Sequence, residues 1–420
     1  MGRVLIVYNT TKYLVRFRRR LIERLRAAGM EVHALTPQDE YVGELERMGV
    51  TWHRWTLARH GTNPLGEARS LWEAWRAMRE LRPQIVLNVT VKAVLYAGLA
   101  AALARVPRRI ALVAGLGNVL GGARAAGTGL RGVARKALRA AYRRVLGTYH
   151  GIVVQNSDDE RAVRQMLAYD PRITVLKTAG SGVDLEEYSP ARGKDGGRGG
   201  SSEDVSPARA RPTVLMVTRL VWAKGIREYC EAAGRLRREA RFVLAGALDS
   251  NPDSPSREEV AALAARSGVE LKLDVRDVAA ELRGASLFVY PSCYPEGIPR
   301  SVIEALACGL PVVTTRSPGC REAIEDGAEG LLVAPRDVND LERKVAALLA
   351  APALRVRMGR RARMRAQARY DERTVAGEMA ALCLAGLPLG AGSTSPAAGS
   401  RPMTAEGGRI ASQTDAIPSR

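Results

Sequence analysis

Short apolar runs, rich in β-branched residues, recur along this chain and restrict its fold more than any other feature. RVLIVY (3–8), EVHALT (31–36), VTWHRW (50–55), QIVLNVT (84–90), RIALVAG (109–115), GIVVQNS (151–157) and ITVLK (173–177) are separated mostly by helical stretches. Runs without regular polar alternation are what a parallel sheet requires, because helices cover both of its faces. The rhythm stops at 191–212, ARGKDGGRGGSSEDVSPARARP, a Gly/Ser/Arg-rich stretch that buries little apolar surface and reads as a linker or insertion. It restarts with TVLMVT (213–218), RFVLAG (241–246), VELKL (269–273), SLFVYP (286–291), PVVTT (311–315) and GLLVA (330–334), with helices to about Ala385. The expected architecture is α/β: two facing, Rossmann-like domains at 1–190 and 213–386, with a cleft between them. Ligands belong at the C-terminal ends of the strands. Residues 387–420, rich in Gly, Ser, Ala and Pro, read as a disordered tail.

The net charge of +20 calls for an anionic partner: nucleic acid, an anionic membrane or a phosphorylated substrate. Residues 1–190 hold 30 Lys and Arg against 16 Asp and Glu, and between Glu80 and Asp158 there are 12 basic residues and no acidic one. Against nucleic acid stand an aromatic content of 5% and the lack of a recognisable binding module. The five cysteines, Cys230, Cys293, Cys308, Cys320 and Cys383, show no paired spacing and read as reduced thiols. MGRVLIVY reads as a first strand rather than a signal peptide, and the longest uncharged runs are too short to cross a bilayer. These features predict a cytoplasmic protein without a membrane span.

Two motifs carry chemistry. TRLVWAKG (218–225) follows a buried run, placing Arg219 at a strand end and Lys224 just before Gly225 and a helix. A phosphate there would meet backbone N–H groups and two cations. The stretch is neither a Walker A loop nor a dinucleotide fingerprint. YPEGIPRSVIE (294–304) sets Glu296 and Glu304 on either side of a stiff turn, with Pro299 suited to a first helical position. The pair reads either as a general acid and base or as a clamp for sugar hydroxyls, which carboxylates bind well because each oxygen accepts from one O–H.

TRLVWAKG followed by SLFVYPSCYPEGIPRSVIEALACGLPVVTTRSPGCREAIEDGAEGLLV resembles the nucleotide-sugar half of the family 4 retaining glycosyltransferases, which have the GT-B fold. FRRRLIERLRAAGMEVHALTP, LARHGTNPL, TVKAVLYAGLAAALARVP and AGLG (114–117) are similar to the branch that builds bacterial O-antigen, capsule and exopolysaccharide units on polyprenyl diphosphate. By that resemblance, Arg219 and Lys224 neutralise the donor diphosphate. Glu296 meets the donor sugar, with main-chain contacts from Gly297, Ile298 and Pro299, and Glu304 binds the ribose. The donor is a nucleotide-diphosphate sugar, UDP-linked by default, and the acceptor a polyprenyl-diphosphate-linked saccharide. By the same resemblance, the Glu296/Glu304 pair resolves toward a clamp. No metal or other cofactor is implied, and no D-x-D stands at a strand end. Asp158-Asp159-Glu160 reads as a helix start after Asn156-Ser157, and His33, His53, His60 and His150 have no ligand spacing.

The acceptor candidates are the loop Asn9–Thr11, with Asn9 and Thr10 foremost, then Arg59, Asn63, Thr90, Lys92, Gly115 and Gly117. For each, a loop or capping role is the competing reading, and Asn63-Pro64 also looks like a helix cap. In 128–146 the spacing puts Leu130, Val133, Ala134, Ala137, Leu138, Ala141 and Val145 on one face, packed on a sheet, and Arg131, Arg135, Arg139 and Arg143 on the other. That basic stripe can meet an anionic membrane surface, which predicts peripheral attachment to the inner leaflet. The rival readings are a nucleotide-sugar epimerase of the same fold and a basic nucleic-acid-binding protein.

Overall fold

The computed structural model describes residues 2–57, 63–116, 130–191, 211–249, 251 and 254–386, with the backbone alone at residues 64 and 130–135. Arg59, Gly117, most of the linker and the tail lie outside the described residues.

Each expected apolar run is a strand, within three residues at either end. The first sheet contains β1 (Gly2–Val7), β2 (Met30–Thr36), β3 (Thr51–Arg54), β4 (Ile85–Val89), β5 (Arg108–Val113), β6 (Gly151–Val154) and β7 (Thr174–Lys177), in the order β3-β2-β1-β4-β5-β6-β7. The second contains β8 (Thr213–Val217), β9 (Arg241–Gly246), β10 (Val269–Leu273), β11 (Leu287–Tyr290), β12 (Val312–Thr315) and β13 (Gly330–Val333), in the order β10-β9-β8-β11-β12-β13. All the pairings are parallel: Val4 lies between Val32 and Ile85, and Val214 stands opposite Phe242. Every residue of β4, β11 and β12 is buried, which accounts for the missing alternation. In both sheets the strand order reverses beside the first strand, between β1 and β4 and between β8 and β11. A cleft opens at the C-terminal ends of such strands.

Sequence composition draws the domain bounds at 190 and 213, but the packing crosses them. Val183 and Tyr188, which precede the linker, lie in the core of the second sheet. The last helix, Glu372–Leu384, packs on the first helix, Thr11–Ala27. The two crossings are tied together: Val183 N donates to Tyr370 O (2.7 Å) and Glu372 N to Val183 O (3.1 Å). Arg20 of the first helix bonds Glu372 at 2.8 Å.

The helix Leu130–Leu146 corrects the expected amphipathic pattern. Among its described side chains Tyr142, Val145 and Leu146 are buried and every residue from Lys136 to Ala141 is exposed. The predicted packing residue Val145 therefore packs whereas Ala137, Leu138 and Ala141 do not, and Leu130, Val133 and Ala134 lie outside the described side chains. Tyr142, absent from the predicted stripe, joins Val145 and Leu146 in the sheet's core.

Candidate active site

The loop after β8 turns through Trp222–Lys224 into Gly225 (φ +86°), and the helix Ile226–Leu236 follows. A Cβ on Gly225 would stand 2.3 Å from Pro291 O, so only glycine lets this loop close on the end of β11. Lys224 is buried as a result. Its Nζ donates to Glu296 Oε1 at 2.6 Å and to the Tyr290 hydroxyl at 2.9 Å, and it lies 4.6 Å from the Tyr294 ring centroid. Tyr290 in turn donates to Glu296 Oε1 at 3.0 Å, and the Ser292 hydroxyl adds a bond of 3.3 Å to the same oxygen. Among the described residues, the side-chain bonds to this carboxylate all fall on Oε1 and none on Oε2. Lys224 has a third N–H to offer.

The helix Ile226–Leu236 has no side-chain cap, so its N-terminus is open to an anion. The matching helix of the first sheet, Thr11–Ala27, is occupied: the Asp39 carboxylate accepts from Thr11 N (2.9 Å), Lys12 N (3.2 Å) and the Thr10 hydroxyl (3.2 Å). The two sheets share a topology, but the first has filled its anion position from within.

Arg219 is brought to the same strand end as Lys224, but it pairs with Asp249 at 2.6 Å and stays partly exposed. Gly297 sits where a Cβ would meet the Gln155 amide at 2.1 Å, and Ile298 is buried. Pro299 is the N-cap rather than the first helical residue, since the helix runs Arg300–Ala307. Glu304 belongs to a second polar cluster. It is buried, accepts from Arg300 Nε at 2.7 Å and is hydrogen-bonded by Tyr188. Burial raises its pKa, against the opposing pull of the Arg300 guanidinium. Arg300 also lies 4.6 Å from the ring centroid of Phe17, across the cleft.

The acceptor candidates separate. Thr10 is 1% exposed, and its hydroxyl donates to Asp39. Asn9 stays half-buried beside it. Asn63 caps the helix Pro64–Leu81 by accepting from Leu65 N (3.2 Å). Lys92 bonds Glu67 at 2.7 Å. Thr90 ends β4 at φ +82°, a strained conformation for a β-branched residue, and its buried hydroxyl has no hydrogen-bond partner in the structure. Gly115 (φ +88°) touches the donor-side loop directly, since a Cβ there would be 2.7 Å from Glu296 Cα and from Pro295 O.

The sequence matches two family descriptions in the order of the two sheets. "Glycosyl transferase 4-like domain" covers residues 14–179 and "Glycosyl transferases group 1" covers residues 202–365. The chain is a family 4 glycosyltransferase. A Campylobacter jejuni relative named N,N'-diacetylbacillosaminyl-diphospho-undecaprenol alpha-1,3-N-acetylgalactosaminyltransferase is 29% identical over 86% of this chain and 92% of its own. Among solved structures, sucrose-phosphate synthase from Thermosynechococcus elongatus superposes with a TM-score of 0.73 at 19% identity, covering 91% of this chain and 98% of its own. Anabaena Alr3699/HepE, in complex with UDP and glucose, gives 0.70 at 16% identity, covering 90% and 98%. At these identities the two structures bear on the fold, which is GT-B.

Sequence reasoning about this glycosyltransferase missed Tyr290 and Ser292, which fix Glu296, because a tyrosine inside an apolar run and a serine after it carry no signal of their own. It also read Asn156-Ser157-Asp158-Asp159 only as a helix start. Asn156 does cap Ser157–Met166 by accepting from Asp159 N (2.8 Å). Among the described residues no cluster of three His, Cys, Asp or Glu could hold a metal ion, and no helix is long and apolar enough to cross a membrane.

Proposed function

We propose that this glycosyltransferase moves a sugar from a nucleotide-diphosphate sugar, UDP-linked by default, to a lipid-diphosphate-linked saccharide in bacterial surface-polysaccharide assembly. One observation carries this reading. The Lys224–Glu296 pair, with one N–H and one carboxylate oxygen left over, stands beside an uncapped helix N-terminus where the strand order of the second sheet reverses. A diphosphate takes the N–H groups, Lys224 and Arg219, and the sugar hydroxyls take Glu296 Oε2. The acceptor oxygen bonds the anomeric carbon on the face that the diphosphate leaves, and the departing phosphate oxygen takes the acceptor's proton, which retains the anomeric configuration. Charge stabilisation falls to the two cations and the helix N-terminus, so the proposal includes no metal. The undecaprenol-linked substrate named for the Campylobacter relative supports the acceptor class, and the UDP and glucose complex of the Anabaena protein supports the nucleotide.

Calorimetric titration with UDP and GDP in EDTA tests the donor site. Saturable binding of UDP, with GDP weaker by about tenfold or more, is expected. No binding of either nucleotide would sink the reading, and an undiminished response to GDP would remove its choice of base.

The same proposal places the protein on an anionic leaflet. Trp72 (52% exposed) and Trp75 (37% exposed) lie on the helix Pro64–Leu81, which packs against Gly98–Leu103. Arg76 and Arg79 lie over the two indole rings, at 5.5 and 6.0 Å. Exposed tryptophan among arginines is what a bilayer interface holds. Trp72→Ala/Trp75→Ala is expected to weaken sedimentation with phosphatidylglycerol vesicles by about tenfold, a loss of ~1.4 kcal/mol. Wild-type partition in that variant would remove these helices from the contact.

A further inference from the structure

Asn156, Ser157, Asp158 and Asp159 are consecutive, and each spends its side chain on alignment at the cleft. Asn156 Nδ2 donates to Asp159 Oδ2 at 2.8 Å and reaches Glu296 O at 3.4 Å. The Ser157 hydroxyl donates to the Glu322 carboxylate (3.1 Å), which Lys177 also holds at 2.9 Å. Asp158 takes Arg321 Nη2 through both oxygens at 2.7 Å. Asp159 is buried and turned inward, accepting from Gly115 N (3.2 Å) and Leu116 N (3.1 Å). Three of the four thus reach the layer of the second sheet, while the fourth carries the turn that abuts Glu296.

That turn has no slack. On one side Gly115 lies against the backbone of Pro295 and Glu296. On the other side of the same loop, a Cβ on Gly319 would sit 1.8 Å from Gly297 O. The helix holding Gly319 also carries Arg321 and Glu322, which receive Asp158 and Ser157. The loop bearing Glu296 is therefore held between two surfaces that the N-S-D-D turn joins.

We propose that Asn156 and Asp159 are positioning residues for sugar transfer, and that the N-S-D-D turn sets the register in which the 115–116 loop meets Glu296 when the two halves close. The turn contacts neither Lys224 nor Arg219 through any bond the structure shows, so nucleotide binding on the second half is independent of it. Reacting groups held on opposite halves depend on this register, and a misplacement of about 1 Å costs on the order of 10²-fold in rate.

The test uses Asp159→Asn, which keeps the volume but offers a single acceptor to three N–H donors, and Asn156→Ser, which keeps a good cap but loses the amide donor. Both variants are expected to lower kcat by about tenfold or more, with the Kd for the donor nucleotide unchanged and its binding stoichiometry near one. A purely structural role would lower Tm and the active fraction and leave kcat per nucleotide-binding site intact, which overturns the proposal. Should either variant fail to fold, the exposed pair decides. Asp158→Arg and Arg321→Asp should each lower kcat, and the double reversal should recover most of it. Single reversals without effect on kcat would overturn the register role.

Discussion

Lys224→Ala is expected to lower kcat/KM for transfer by about 10²–10³-fold, the largest kinetic effect of any substitution in the cleft. The ammonium is buried and fixed by Glu296 and Tyr290, so it is already oriented before the donor arrives. A desolvated cation stabilises charge on a departing diphosphate more than it stabilises the bound donor, so the loss falls mainly on kcat. Arginine does not rescue the position, because a planar fork does not fit a pocket built round one ammonium. Lys224→Ala/Glu296→Ala is expected to cost about as much as the worse single variant, since the pair acts as a unit. Steady-state kinetics on the three variants checks both statements. Additive losses would show that the two side chains act separately, and near-wild-type turnover in Lys224→Ala would remove it from the site.

The legible and illegible features of this chain divide on physical grounds. Strands buried on both faces carry their signal locally, so runs such as IVLNV at β4 and LFVY within β11 could be read without knowing their neighbours. The placement of the 218–225 loop and of the helix after Glu296 was legible for a related reason: a helix start after a strand constrains a few adjacent residues. Contacts between distant segments left no such trace. Asp39 caps a helix whose N-terminus lies 28 residues earlier, and the Thr10 hydroxyl donates to the same carboxylate. Helix 130–146 packs through Tyr142, whose hydroxyl disguised a packing residue, while Ala137, Leu138 and Ala141 of the predicted apolar face are exposed. The last helix crosses back to the first sheet because of a surface more than 340 residues away in sequence; Arg20 and Glu372 meet there. The N-S-D-D turn gave a correct local reading, a cap, which concealed its contacts with the other half.

Glu304→Ala is expected to destabilise the fold by about 3 kcal/mol and to weaken nucleotide binding by about tenfold, two effects with separate causes. The first follows from Arg300. Its side chain is only 16% exposed and is bonded to Glu304, so removing the carboxylate strands a nearly buried charge beside Phe17 and Gly182. The second follows from the role proposed for the carboxylate, which accepts from the ribose hydroxyls. Arg300 and Tyr188 already engage Glu304, so the ribose must share a pre-bonded carboxylate. Comparing UDP with 2′-deoxy-UDP separates the two causes. The wild type should prefer UDP by about tenfold, and Glu304→Gln should lose most of that preference while staying folded. If Glu304→Gln retained the full preference, Glu304 would serve to hold Arg300, and the ribose would be read by another group in the cleft.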